Sequence, residues 1–144
     1  MAEQRATHGD ALNILRFLIA DDHDMFRQLI RQMVESHPGW SVLAEARDGQ
    51  EAVQLARIFS PDVALMDVVM PAHNGIEATR MIKQSDPSIC VILFSAHHEE
   101  EFRASGLAAG ADYFVWKEQL DDASLEHMIV SRFSPGGDVG HRSS

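Results

Sequence analysis

Short apolar runs alternate with segments of helical periodicity along this chain, and four of the runs lead into polar residues suited to phosphoryl chemistry. Residues 14–20 lead into Asp21 and Asp22, residues 62–66 into Asp67, residues 89–94 into Ser95, and residues 113–116 into Lys117. A fifth strand candidate covers residues 41–46. Three of the runs are continuous apolar stretches with little alternation, as expected of strands covered on both faces. Between the runs, apolar residues recur at helical spacing. Phe26, Leu29, Ile30, Met33 and Val34 form one stripe, and Ala52, Leu55, Ala56 and Phe59 a second. Ala78, Met81 and Ile82 give a shorter one; Leu125, Met128, Ile129 and Phe133 give the last. Phe102, Gly106 and Ala109 make the poorest stripe. Breakers fall at Pro38-Gly39, Ser60-Pro61, Asp86-Pro87 and Gly110. Alternating strands and helices with short connections predict one α/β domain with a parallel sheet and right-handed crossovers.

In such a sheet the run ends meet at one edge, where open α/β sheets bind ligands. An Asp after a strand is commonly a turn residue or a helix N-cap. Several chemically matched residues at four run ends favour a site instead. A carboxylate can attack phosphorus and form an acyl phosphate, and Asp67 is the predicted nucleophile. Three carboxylates in one crevice repel one another and raise each other's pKa. A hard divalent cation relieves that repulsion, and Mg²⁺ accepts a few carboxylates while keeping waters. Lys117 supplies a second positive charge, and the Ser95 hydroxyl can donate to a phosphoryl oxygen.

With 144 residues, one compact domain is expected. The expected organisation is a flexible tail at residues 1–11, a domain at 12–133 and a second flexible tail at 134–144. The balance of 12 Lys+Arg against 22 Asp+Glu, a net charge of −10, opposes binding to nucleic acid or anionic membrane. The basic residues form no stripe along any predicted helix. Cys90 is the only cysteine and lies inside an apolar run, so a buried, inert thiol is expected. No run approaches the roughly 18 apolar residues of a membrane span, and residues 1–10 lack the apolar core of a secretory signal. These features point to a reduced, cytoplasmic compartment.

Four segments in order carry a family resemblance: Leu18-Ile19-Ala20-Asp21-Asp22-His23, Asp67-Val68-Val69-Met70-Pro71 followed by Asn74-Gly75-Ile76-Glu77-Ala78-Thr79-Arg80, Phe94-Ser95-Ala96, and Gly110-Ala111-Asp112-Tyr113-Phe114-Val115-Trp116-Lys117. The chain resembles the receiver domains of two-component response regulators, the CheY-like family, and the second segment is most like receivers of the LuxR class. The resemblance covers about residues 14–133. It implies a flavodoxin-like (βα)5 fold with a five-stranded parallel sheet of order 2-1-3-4-5, an order for which CheY is itself an example. It implies phosphorylation of Asp67 by a histidine kinase or phosphotransfer protein. Asp22, Asp67 and the main-chain carbonyl of Val69 would bind Mg²⁺, with Asp21 acting mostly through water. Lys117 would pair with Asp67, while Ser95 and Phe114 would rearrange and reshape the face of the fourth helix, fifth strand and fifth helix. That face would meet a protein partner or a second copy of the chain. The expected function is a single-domain phosphoacceptor switch that is not a turnover enzyme and does not bind DNA.

Three departures from the family pattern bear on coupling: Phe114 where Tyr is frequent, Tyr113 where a small residue is common, and Glu118 where a proline often follows the lysine. Alternatives stand beside the main reading. A receiver fragment of a LuxR-class transcription factor is one, although no helix-turn-helix follows Phe133. An aspartyl-nucleophile phosphohydrolase is another, opposed by Val69 where the haloacid-dehalogenase pattern has a second Asp. A nucleotide- or flavin-binding domain is opposed by the acidic Asp21-Asp22-His23-Asp24 where a phosphate loop would lie. His97 and Glu101 have the i, i+4 spacing of metal ligands, but a solvated, acidic helix start is the favoured reading. His97 also lies two residues past Ser95, where it can influence water access to an acyl phosphate. His23 is expected to begin the first helix, and Trp116 to pack in the core.

Overall fold

The computed structural model describes residues 14–133; the expected tails at 1–11 and 134–144 lie outside them. Five parallel strands, β1 (Leu15–Ala20), β2 (Trp40–Ala46), β3 (Val63–Asp67), β4 (Cys90–Ser95) and β5 (Tyr113–Trp116), form one sheet in the order 2-1-3-4-5. Helices α1 (Asp24–Glu35), α2 (Gly49–Phe59), α3 (Gly75–Ser85), α4 (Glu100–Ala108) and α5 (Asp122–Phe133) alternate with them. This is the flavodoxin-like, CheY-type arrangement.

The two-residue period of the strands divides the core into two layers. Leu18, Ala20, Ala64, Met66, Val91 and Leu93 pack with Ala52, Val53 and Ala56 of α2 and Ala78 and Ile82 of α3. Phe17, Ile19, Val63, Leu65, Ile92 and Phe94 pack with Ile30 and Val34 of α1 and with Leu125, Met128 and Ile129 of α5. Fully burying one such Val, Leu or Ile side chain contributes about 1.5–3 kcal/mol. Helices α2 and α3 start on side-chain caps. Asp48 accepts from the Glu51 amide before α2, and Asn74 accepts from the Glu77 amide before α3. Cys90 is buried, and burial first pushes its thiol pKa up to about 12. No helix among the described residues is long and apolar enough to cross a membrane.

Some periodicity-based assignments differ from the structure. Leu29 of α1 is 50% exposed, whereas Arg27 is only 8% exposed. Arg27 occupies the inner face because its guanidinium has three partners there. It donates to the Asp21 carbonyl at 2.7 Å, to Glu45 at 3.0 Å and to Asp24 at 2.7 Å. Phe59, at the end of α2, is exposed. Trp116 is half-buried, because β5 is an edge strand with no neighbour beyond it.

Candidate functional site

The parallel crossovers bring Asp21, Asp22, Asp67, Ser95 and Lys117 to the carboxyl edge of the sheet. Asp67 closes β3 and Ser95 closes β4, while the two aspartates follow β1 and the lysine follows β5. The chain can turn away so sharply after Asp67 because α3 begins with glycine. A Cβ on Gly75 would lie 2.2 Å from the Asp67 carbonyl oxygen, so any side chain there would push α3 off the strand end. The Gly75 amide also donates to the Val68 carbonyl at 2.7 Å. The turn between is strained, with left-handed φ values of 50° at Ala72 and 27° at His73.

Asp21 and Asp67 are buried, while Asp22 is exposed at the rim. The Lys117 ammonium lies 3.2 Å from Asp21 Oδ2 and 3.4 Å from Asp67 Oδ2. It also sits over the Phe26 ring, 4.3 Å from its centroid, so its charge is held by an aromatic face as well. Burial, opposed by Lys117 and reinforced by the Asp21 charge, raises the Asp67 carboxyl above its ordinary range. The Val69 amide donates to Asp67 Oδ1 at 3.1 Å.

Ligand atoms of Asp21, Asp22, His23 and Asp67 all lie within 4.8 Å of one another. Asp21 Oδ2 is buried and accepts no hydrogen bond. An oxygen-dominated donor set, with a buried carboxylate oxygen that has the Lys117 ion pair but no hydrogen bond, fits a hard divalent cation such as Mg²⁺. His23 both stands at the N-cap of α1, as its position after the first strand suggested, and places Nδ1 3.2 Å from Asp21 and 3.3 Å from Asp22. No metal-sized group of three or more ligands contains His97 or Glu101 among the described residues.

The hydroxyl and the aromatic residue on the last two strands are placed differently. Ser95 is fully buried, and its hydroxyl is engaged by its own turn. It accepts from the His97 amide at 3.0 Å and donates to the His97 carbonyl at 3.1 Å. Phe114 is half-buried on β5 and meets Trp116 edge-on at 5.0 Å. It lies beside α4 at Gly106, where a Cβ would come within 3.6 Å of the ring.

Sequence reasoning did not single out Arg27, whose guanidinium fixes the Asp21 carbonyl. It also placed Leu29 in the core. Instead His23, Met25, Phe26, Leu29, Ala96 and Lys117 line an open hollow of about 510 Å³ beside the site. The signal available for the hollow was the pairing of Met25 with Leu29 at i, i+4, which periodicity alone cannot separate from a buried stripe.

Residues 17–130 match the model of the response regulator receiver domain. The chain belongs to that family. It is 38% identical over 118 residues to the transcriptional regulatory protein DegU of Brevibacillus brevis, covering 82% of this chain and 50% of DegU. A LuxR-family two-component response regulator from Aurantimonas sp. SI85-9A1 superposes with a TM-score of 0.75 at 34% identity, over 92% of this chain and all of that one. The CheX-CheY-BeF3-Mg complex from Borrelia burgdorferi gives 0.79 at 29% identity, over 90% of this receiver and 96% of the matched chain. This receiver spans about half the length of the curated relatives it matches.

Proposed function

We propose that this receiver takes a phosphoryl group from a phosphohistidine onto Asp67 and returns it to water, acting as a signalling switch. The observation that carries this reading is the Asp67 carboxylate at the end of β3, facing the Lys117 ammonium and grouped with Asp21 and Asp22, in a chain of the receiver family. In the transfer, an Asp67 oxygen forms a bond to phosphorus as the phosphorus–nitrogen bond of the donor breaks. Lys117 lies where it can neutralise charge on both carboxylates and on the arriving group. Asp21, Asp22 and Asp67, with the Val69 carbonyl, would hold Mg²⁺. A bound divalent cation supplies charge neutralisation for the phosphoryl oxygens. The Ser95 hydroxyl would donate to a phosphoryl oxygen after leaving His97, and Phe114 would follow it inward.

The hollow formed by Met25, Phe26 and Leu29 supports a protein donor. Met25 is 83% exposed and Leu29 50% exposed, within reach of the same crevice as Lys117. A small phosphoester would have no use for an apolar shelf beside the site. The donor class is therefore a histidine kinase or phosphotransfer protein, in the cytoplasm. The output surface is the α4–β5–α5 face, taken by a protein or by a second copy of this chain. Incubation with acetyl phosphate followed by intact-mass measurement tests the assignment. One added phosphoryl group is expected with Mg²⁺ and none without it.

A second reading has its own support: the relatives include a transcriptional regulatory protein twice as long as the match. Under it, these residues are the receiver part of a LuxR-class DNA-binding regulator. In either case DNA recognition lies outside these 144 residues, because their net charge of −10 opposes phosphate contacts. No salt-sensitive binding of the phosphorylated chain to random duplex DNA is expected at low salt, where electrostatic attraction is strongest.

A further inference from the structure

The Ser95 hydroxyl cannot serve a phosphoryl group on Asp67 while both of its hydrogen bonds go to His97. The turn that satisfies it is in turn fastened from outside. The His98 ring lies flat on the Trp116 indole, with centroids 4.6 Å apart and planes 8° from parallel. Its Nε2 is 2.8 Å from Glu118 Oε2 and 3.1 Å from Oε1. Trp116 and Glu118 flank Lys117 in sequence, and Trp116 meets the Phe114 ring edge-on. One imidazole therefore ties the β4–α4 turn to the residues on either side of the site lysine.

We propose that His98 is a positioning residue: seated on Trp116 and paired with Glu118, it holds the 95–99 turn in the form that occupies the Ser95 hydroxyl, and phosphorylation works against this clasp. The inference rests on Asp67 as the acceptor. Its logic is that of a two-state element. A contact made in one state and lost in the other biases the equilibrium by its own free energy. The bias is modest, since His98 and Glu118 are both more than half exposed and such pairs are weak. It acts next to a weakly seated helix, because Gly106 is the only buried residue of α4.

The test uses beryllofluoride with Mg²⁺ as the phosphoryl probe. It is made in a Trp40→Phe background, so that Trp116 is the only indole. His98→Ala and Glu118→Ala should each tighten beryllofluoride binding about two- to fivefold, the range open to a weak surface pair plus one ring contact. The double variant should gain no more than His98→Ala alone, because that change already removes both contacts of the clasp. Trp116 emission should change on binding in the parent and stay flat in His98→Ala. His98→Phe, which keeps the ring contact and loses the pair, should fall between. Melting temperatures measured alongside should barely move, which separates positioning from a merely structural role. Unchanged or weaker binding in both single variants, or fully additive gains, would overturn the clasp. A parent that binds no beryllofluoride, like Asp67→Asn, would overturn the Asp67 assignment and the clasp with it.

Discussion

The two halves of the crevice are built to different standards of rigidity. On the β1–β3 side, every residue of β3 is buried, Arg27 locks the Asp21 carbonyl, and Gly75 lets α3 press against the Asp67 strand end. On the β4–β5 side, α4 has nine residues and buries one, and all four residues of β5 are only half-buried. Ser95 is satisfied by its own turn and not by the site. The groups proposed for the chemistry are thus preorganised, while those proposed to respond are held by few contacts. Segments that must move are drawn from the weakly held part of a fold. Here that part is α4 with the turn before it, since α5 is anchored by Leu125, Met128 and Ile129.

The largest effect should come from breaking the rigid half alone. Asp67→Asn removes the proposed nucleophile with little change in shape, and Mg²⁺-dependent mass gain from acetyl phosphate should vanish. Full labelling of that variant would move the chemistry to another residue. Lys117→Met should come next. It strips both Asp21 and Asp67 of their cation, and labelling should slow by about a hundredfold to a thousandfold, as when one preorganised charge-stabilising group is lost. A rate close to that of the unaltered chain would mean the ammonium only balances buried charge.

Breaking the other half should give the opposite signature. Ser95→Ala should still accept a phosphoryl group but lose much of the response beyond the site. Amide chemical shifts across residues 97–132, compared with and without beryllofluoride, would measure it. Equal responses with and without the hydroxyl would leave the two halves uncoupled through Ser95.

The strand ends were readable from the sequence, and the contacts that helices and loops make around them much less so. Parallel-strand logic turns a polar residue after an apolar run into a point on one sheet edge, so Asp21, Asp22, Asp67, Ser95 and Lys117 could be grouped before any coordinates. The strand order came with the family motifs. Arg27 was hidden because its burial is decided by Glu45, a residue on another element, and by a backbone carbonyl. Leu29 looked like core because a 3.6-residue period cannot tell a helix face under the sheet from one beside a hollow. The His98–Glu118 contact spans 20 positions and has no local pattern at all. What alternation and periodicity encode is burial against the sheet; pairings between loops at its edge are set by the tertiary arrangement.

The smallest expected effect sharpens the comparison through stability. Burial raises the Asp67 carboxyl, and this outweighs the opposing pull of Lys117 at 3.4 Å and the Val69 amide at 3.1 Å. The folded chain therefore holds this proton more tightly than the unfolded chain does. Folding stability from this group is full below the ordinary carboxylate range and is lost as pH rises through the raised folded value. At neutral pH, without divalent cations, Asp67→Asn should melt a few degrees above the unaltered chain. The gap should close on acidification below about pH 4, where the carboxyl is protonated in both states. Adding Mg²⁺ should narrow it from the other side, since a ligand that binds only the folded chain raises its melting temperature. Ser95→Ala, which removes no charge, should show neither the pH-dependent gap nor the Mg²⁺ effect on it. A lower melting point for Asp67→Asn at neutral pH would mean that Lys117 more than repays the burial of the carboxylate. The rigid half would then be held together by its charges and not in spite of them.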